Sequence, residues 1–429
     1  MDKFEINGGA RLRGKMAVGG SKNAALPIMA AALLADGPCL VRNVPHLADI
    51  ESMVELLTDL GVKIERRGED LALEVVDTSH FHAPYDRVRK MRASICVLGP
   101  LLARRGQARV AMPGGCAIGS RPVNLHLKGL AALGARVELE GGDMVLTASR
   151  LRGAEIFLGG PFGSTVLGTA NVMSAAALAK GITVIESAAC EPEVADLGDF
   201  LNRMGARIQG AGTPRIVIEG VERLTGCEHT VIPDRIEAGT FMMASAMTNG
   251  EVILTNVKLG HLLAVVETLR EVGVMVERSN GGVVVSSTRR LEPVDVTTQP
   301  YPGFPTDLQA QLMTLLCMAD GNSAVTEKIF PDRFMHVAEL TRMGADIHKE
   351  GPTAIIRGVR QLIGAPVMAS DLRASAALVL AGLVARGATT VNRVYHIDRG
   401  YESIEQKLRG LGADITRVPG DGTQRAGAD

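Results

Sequence analysis

The sequence predicts an α/β protein built from six copies of one module of about 70 residues. Three observations carry that expectation. A hydrophobic residue followed by glycine recurs at Leu60-Gly61, Leu133-Gly134, Met204-Gly205, Val272-Gly273, Met343-Gly344 and Leu411-Gly412, with intervals of 73, 71, 68, 71 and 68 residues. Each glycine is followed by Ala or Val and then by an alternating, strand-like run. Upstream of each lies an alanine-rich apolar stretch that ends near a second glycine.

The elements of a module follow in order. The first helix is Ala24 to Leu34 with Gly37, Ala93 to Ala103 with Gly106, and Ala170 to Ala179 with Gly181. The second half of the chain repeats it as Ala238 to Met247 with Gly250, Leu308 to Met318 with Gly321, and Ala374 to Val384 with Gly387. These segments are apolar around most of the helix circumference, so they are expected to be buried on all sides. A β-rich stretch comes next, such as Cys39-Leu40-Val41 or Glu251-Val252-Ile253-Leu254. The second helix, for example Ile50 to Leu60 or Tyr401 to Leu411, ends at the repeated glycine. There the chain needs the left-handed conformation that a β-carbon disfavours. A strand pair closes the module, and a further strand leads into the next. Parallel crossovers and a hairpin in one unit make an α/β module. Six modules suit either a continuous solenoid or two globules of three. Solenoid repeats usually run about 20–45 residues, and 429 residues suit two or three domains, so two globules are the expectation. Periodicity alone does not place the split.

Outside the repeat, Gln299-Pro300-Tyr301-Pro302-Gly303-Phe304-Pro305 predicts a stiff, non-helical lead-in to a helix near Asp307. The polar, glycine-rich tail, 419–429, is expected to be disordered.

Composition narrows the function. A net charge of −1, 3% aromatics and no Trp argue against nucleic acid as a partner. No apolar run approaches the ~20 residues that span a bilayer, so no membrane association is expected. The six cysteines form no CxxC pair and no Cys/His cluster. That fits a reducing cytoplasm and argues against a structural metal.

Cys96 and Cys317 lie in apolar runs and read as core. Cys116 differs, because Pro113-Gly114-Gly115-Cys116-Ala117-Ile118-Gly119-Ser120-Arg121-Pro122 sets it in a glycine-rich loop with an arginine nearby. Positive charge there favours a reactive thiolate or a poised acid. Gly19-Gly20-Ser21-Lys22-Asn23 puts Lys22 where a glycine turn meets a buried helix, a place suited to a phosphate or carboxylate. Ser21 serves equally as a plain helix cap. Arg92, Asp307 and Asp371-Leu372-Arg373 occupy the same helix-start edge of other modules, and Arg399 precedes the last helix. These residues are either ordinary caps and edge charges or the lining of a cleft for a small, strongly anionic substrate.

Five segments extend the reading. Ser21 to Pro27, Pro113 to His126, Asp234 to Phe241, Asp371 to Ala377 and Tyr395 to Glu402 resemble the UDP-N-acetylglucosamine enolpyruvyl transferases, in order and over about residues 1–418. The resemblance implies a two-domain inside-out α/β barrel with three modules per domain. It places one domain at 22–232 and the other at 1–21 plus 233–418. It implies transfer of an enolpyruvyl group from phosphoenolpyruvate to the 3′-hydroxyl of UDP-N-acetylglucosamine with release of phosphate, the first committed step of peptidoglycan synthesis. No cofactor and no metal are called for. Cys116 would be the general acid and able to form an adduct with phosphoenolpyruvate, and Asp307 would take the hydroxyl proton. Lys22, Arg121 and Arg399 would hold phosphate and carboxylate, with Arg92 shaping the pocket and Asp371 and Arg373 supporting the network. Asn23, Arg121, Pro122, Val123, Asn124, Leu125, Gly163, Ser164, Thr165, Val166 and Ile329 match positions contacting the nucleotide sugar.

The chain departs from the family pattern in the nucleotide half. Asn124 stands for the usual Asp, Gly163 for a basic residue, Leu167 for a glycine, and Pro331-Asp332 for Glu-Asn. These changes raise a diverged transferase acting on another nucleotide sugar as an alternative. A non-catalytic nucleotide-sugar sensor is a third reading, weakened by the joint presence of Cys116, Asp307, Lys22 and Arg399. The related shikimate-pathway transferase is disfavoured because its Gly-Asp-Lys-Ser start is missing.

Overall fold

The computed structural model describes residues 1–113, 123–287 and 290–420. Cys116, Arg121 and Pro122, and the tail from residue 421, lie outside the described residues. The described chain gathers into two units, one of 20–113 and 123–232, the other of 1–19, 233–287 and 290–420.

Each unit is an inside-out α/β barrel, with buried helices at its centre and three four-stranded sheets around them. The module logic is visible in every sheet. In the first, Glu228–Thr230 runs parallel to Cys39–Arg42, which pairs antiparallel with Asp70–Val75, itself hairpinned to Val62–Arg67. The lead-in strand of this first module comes from the far end of its own unit. The other unit closes by a related device. In its last sheet Lys3–Asn7 inserts between Ala388–Asn392 and Asp414–Val418, antiparallel to both, and supplies the strand that the sixth module lacks. Pro366–Met368 completes that sheet in parallel.

Burial follows the period of each element. The strand Arg215–Glu219 alternates exposed and buried residues, as a sheet with one covered face requires. The helices Val166–Ala176, Arg235–Met247 and Leu372–Val384 are buried almost end to end. Small residues let these helices approach closely. A β-carbon on Gly99 would fall 2.2 Å from the Asn171 carbonyl oxygen, and one on Gly239 would fall 2.4 Å from the Leu308 side chain. The six repeated glycines all carry φ between +85° and +105°, which is the helix-ending conformation the spacing predicts.

Several helices differ from the sequence-based spans; the one expected at Ala24 to Leu34, for instance, is an α-helix over Lys22–Ala31 that tightens to a 3-10 turn at Ala32–Leu34. The second-module helix expected at Ala93 to Ala103 is a 3-10 segment, Arg92–Val97, followed by an α-helix, Leu98–Arg105. Pro100 is the reason: proline fits only the first turn of an α-helix, so the regular helix begins just before it. Thr306–Leu308 is likewise 3-10 before the helix Gln309–Leu316. The last helix is shortened to Ile404–Gly410, because Ser403 takes a left-handed conformation with φ +45°. Cys96 and Cys317 are core residues, and burial pushes both thiols up to about 12. Among the described residues, no helix is long and apolar enough to cross a membrane.

Candidate active site

In the unit containing 20–113 and 123–232, the candidate residues cluster at helix starts. Ser21 caps the helix Lys22–Ala31, its hydroxyl accepting the Ala24 N–H at 3.3 Å. Lys22, the first helical residue, is buried, and its Nζ donates to Asp49 Oδ2 at 2.8 Å. Asn23 is half-buried. An ammonium has three N–H donors, so Lys22 can meet Asp49 and an anion together. Arg92 opens the 3-10 segment that packs against the Lys22 helix.

A buried amide ties the remaining starts together. Gly99 N–H, which can only donate, reaches Asn171 Oδ1 at 2.7 Å and so fixes the orientation of the amide. Asn171 Nδ2 then donates to the Ile95 carbonyl at 2.9 Å and to His126 Nδ1 at 3.0 Å. His126 Nδ1 is therefore an acceptor, and its ring proton sits on Nε2. This hub joins the Arg92 segment, the helix Asn124–Ala132 and the helix Val166–Ala176. It thereby positions Val123, which is buried, Asn124, which is exposed, and Leu125. Gly163 and Ser164 form a short strand paired with Gly159–Gly160. Thr165 caps the next helix by accepting the Gly168 N–H at 3.2 Å, and Val166 is its first residue. Leu167 stands in that first turn, half-buried.

In the other unit, Asp307 is held in a fork of two buried guanidinium groups. Arg333 Nη1 donates to Asp307 Oδ1 at 2.9 Å, and Arg373 Nη2 donates to Oδ2 at 3.1 Å. Burial penalises the charge on Asp307, yet the two arginines outweigh that penalty and hold its carboxyl well below the usual carboxylate range. Arg373 lies 5.4 Å from the Tyr401 ring centre, and its Nε and Nη1 are buried with no hydrogen-bond partner among the described residues. Tyr401 Oη is itself fixed by Thr240 at 2.8 Å and Gln311 at 3.0 Å. Asp371 caps the helix Leu372–Val384, accepting the Arg373 and Ala374 N–H groups at 2.7 and 3.1 Å. Arg399 ends the 3-10 segment Val394–Arg399. Burial first, then the Arg399 charge, lowers the pKa of His396, while Asp371 acts the other way. Ile329 is half-buried, and its N–H is bound by Glu327 at 2.8 Å.

The fold therefore brings Asp307 and Arg373 into contact, with Asp371 at the start of the Arg373 helix. Lys22 and Arg92 lie on neighbouring elements. Cys116, Arg121 and Pro122 remain outside the described residues. Sequence reasoning missed Arg333, Asp49, Glu327 and Asn171. Asn171 had a usable signal, as a lone amide in an alanine-rich helix. A groove of about 580 Å³ over Leu40, Arg42 and Asp70 contains none of the candidate residues.

Two buried histidines make a pH prediction. Burial, helped by Arg92, lowers His126 from its ordinary 6.5 to about 4, and burial lowers His336 to about 4. Between those values only the unfolded chain takes up the proton, so stability is full above pH 6.5 and falls as pH drops toward 4. Each histidine contributes a loss on the order of 3 kcal/mol by the lower limit. Urea unfolding across that window should show the decline, and His126→Gln should flatten part of it. Equal urea midpoints at both ends would contradict the assignment.

The family described as EPSP synthase (3-phosphoshikimate 1-carboxyvinyltransferase) matches residues 6–408. A UDP-N-acetylglucosamine 1-carboxyvinyltransferase of Methylacidiphilum infernorum is 54% identical over 420 residues, covering 97% of this chain and 99% of that protein. One from an Anaeromyxobacter species is 57% identical over 422 residues, covering 97% of this chain and 99% of its own length. Among solved structures, the enolpyruvyl transferase NikO from Streptomyces tendae superposes with a TM-score of 0.88 at 27% identity, covering 97% of this chain and 99% of that chain. An EPSP synthase from Acinetobacter baumannii, at 20% identity and a TM-score of 0.76, covers 98% of this chain and 100% of that chain and shares the fold.

Proposed function

The chain belongs to the EPSP synthase family of 1-carboxyvinyl (enolpyruvyl) transferases, and on that premise we propose that it is a UDP-N-acetylglucosamine 1-carboxyvinyltransferase. It takes the enolpyruvyl group from phosphoenolpyruvate, attaches it to the 3′-hydroxyl of UDP-N-acetylglucosamine and releases phosphate. It serves peptidoglycan synthesis in the cytoplasm. The observation that carries this reading is near-full-length identity above half to relatives bearing that name. Acceptors other than this sugar are not favoured, since the identity spans the nucleotide half as well.

The chemistry is addition followed by elimination. Cys116 gives a proton to C3 of phosphoenolpyruvate while the sugar oxygen attacks C2; the Cys116 thiolate then takes a proton back from C3 as phosphate leaves the tetrahedral intermediate, which restores the C2–C3 double bond. Phosphoenolpyruvate is multiply anionic, and Lys22, Arg121 and Arg399 supply fixed positive charge for it, with Arg92 shaping the pocket. Asn23, Val123, Asn124, Leu125, Gly163 to Val166 and Ile329 take the nucleotide sugar. Asp307 receives the proton of the 3′-hydroxyl. A carboxylate gripped by two arginines is a weak base, so its basicity must rise during the reaction. Arg373 provides the means: its Nε and Nη1, which have no hydrogen-bond partner among the described residues, attract an incoming anion and loosen its hold on Asp307. Asp371 keeps the Arg373 backbone in register.

A phosphate-release assay with phosphoenolpyruvate and a panel of UDP- and dTDP-sugars tests the reading. Turnover with UDP-N-acetylglucosamine is expected, and its absence with folded protein would refute the reaction. Cys116→Ala should lower turnover by about 10²–10⁴-fold. Cys116→Asp should retain turnover while losing alkylation by an epoxide. Wild-type rates in Cys116→Ala would remove the acid role.

A further inference from the structure

We propose that Glu327 is a positioning residue for Asp307, acting through Thr306 and Arg333. The inference rests on the assignment of Asp307 as the proton acceptor and extends it to a residue that touches neither substrate. Glu327 is fully buried. Among the described residues no Lys or Arg pairs with it directly. Instead four donors converge on its carboxylate. Thr298 Oγ donates to Oε1 at 2.7 Å, the Ile329 and Phe330 N–H groups donate to the same oxygen at 2.8 and 2.9 Å, and Thr306 Oγ donates to Oε2 at 2.9 Å.

The last contact fixes a direction. The Thr306 hydroxyl proton is given to Glu327, so the hydroxyl lone pairs face away. Arg333 Nη1 uses them, donating to Thr306 Oγ at 3.1 Å while also donating to Asp307 Oδ1 at 2.9 Å. The relay thus runs from the Arg333 N–H to the Thr306 hydroxyl to the Glu327 carboxylate, each bond polarising the next. It anchors the guanidinium that holds one Asp307 oxygen. The other oxygen of Glu327 gathers the turn carrying Ile329, so one carboxylate sets both the Asp307 arm and the Ile329 arm of this unit. A purely structural anchor would not need the directed relay, and that difference is measurable.

Glu327→Gln replaces the acceptor facing Thr306 with a donor and should reverse that hydroxyl. Thr306→Val removes the relay. In each, kcat is expected to fall about tenfold, the equivalent of one charge-assisted hydrogen bond, because misplacing the Asp307 carboxylate outweighs its gain in basicity, with little change in KM for phosphoenolpyruvate. The acid limb of the kcat/KM profile should move to higher pH, because Asp307 loses part of its grip. Thr306→Ser, which keeps the hydroxyl, should restore most of the loss, and the Glu327→Gln/Thr306→Val double variant should be no slower than the worse single variant. Lower thermal stability with unchanged kcat and an unmoved acid limb would overturn the proposal. Carboxyl ¹³C NMR of Asp307 separates this outcome from failure of the functional reading. In the absence of any turnover, Thr306→Val should still titrate Asp307 at higher pH than wild type does, and identical titrations would reject the relay.

Discussion

Asp307→Asn is expected to lower kcat by about 10²–10⁴-fold, the usual contribution of a positioned acid or base. The amide keeps one oxygen for Arg333 or Arg373 but cannot take the hydroxyl proton. The same change should destabilise the protein. Arg333 and Arg373 have side chains only 7% and 3% exposed, and Asp307 is their shared counter-charge. Removing one member of such a buried arrangement costs about 3–5 kcal/mol. The pH dependence separates this effect from lost packing. The folded-state pKa of Asp307 is depressed, so its stabilisation is present above the ordinary carboxylate range and fades as pH falls below it. Wild type and variant should therefore differ by a steady amount above the ordinary carboxylate range, and the gap should begin to narrow only as pH falls below it in denaturant titrations. A constant gap at all pH values would mean the fork contributes by shape rather than charge.

Lys22→Ala should be nearly as damaging, through two separable routes. It takes the ammonium away from a buried carboxylate, since the Lys22 and Asp49 side chains are 8% and 6% exposed. The expected loss is again about 3–5 kcal/mol. It also deletes a cation assigned to the anionic substrate, which should reduce kcat/KM by about 10²–10³-fold. Lys22→Ala/Asp49→Ala decides between the routes. Removing both charges should return most of the stability and none of the activity. If the double variant regained turnover, Lys22 would be a structural partner of Asp49 and not a binder of substrate.

The fold class was legible because each module must end a helix with the same left-handed turn. Only glycine meets that need cheaply, and its spacing survives side-chain drift. What periodicity could not reveal was non-local pairing. Lys3–Asn7 reads as an ordinary strand, and nothing within it says that it fills a gap more than 380 residues away, beside Ala388–Asn392. The 3-10 segment at Arg92–Val97 was hidden by an alanine-rich pattern, although Pro100 marked the true helix start.

The candidate site was legible where a charged side chain coincides with a helix start, as at Lys22, Asp307 and Asp371. It was illegible where the partner is distant. Arg333 follows Pro331-Asp332, a segment that drew attention only as a departure, and its bond to Asp307 spans 26 residues. Glu327 stands beside Lys328 in a short polar stretch that resembles a surface turn. Its burial follows from donors at Thr298 and Thr306 that no local pattern connects to it. Asp49 sits in the first turn of the helix Ala48–Asp59, where an acidic residue is expected for the helix dipole alone.

The central claim is the chemical identity of the transfer. Mass spectrometry and ³¹P NMR of phosphoenolpyruvate and UDP-N-acetylglucosamine incubated with the enzyme test it most directly. The account predicts an enolpyruvyl ether of the nucleotide sugar and inorganic phosphate in equal amounts, with the diphosphate bridge intact. Unchanged nucleotide sugar, or phosphate formed without the ether, would contradict it.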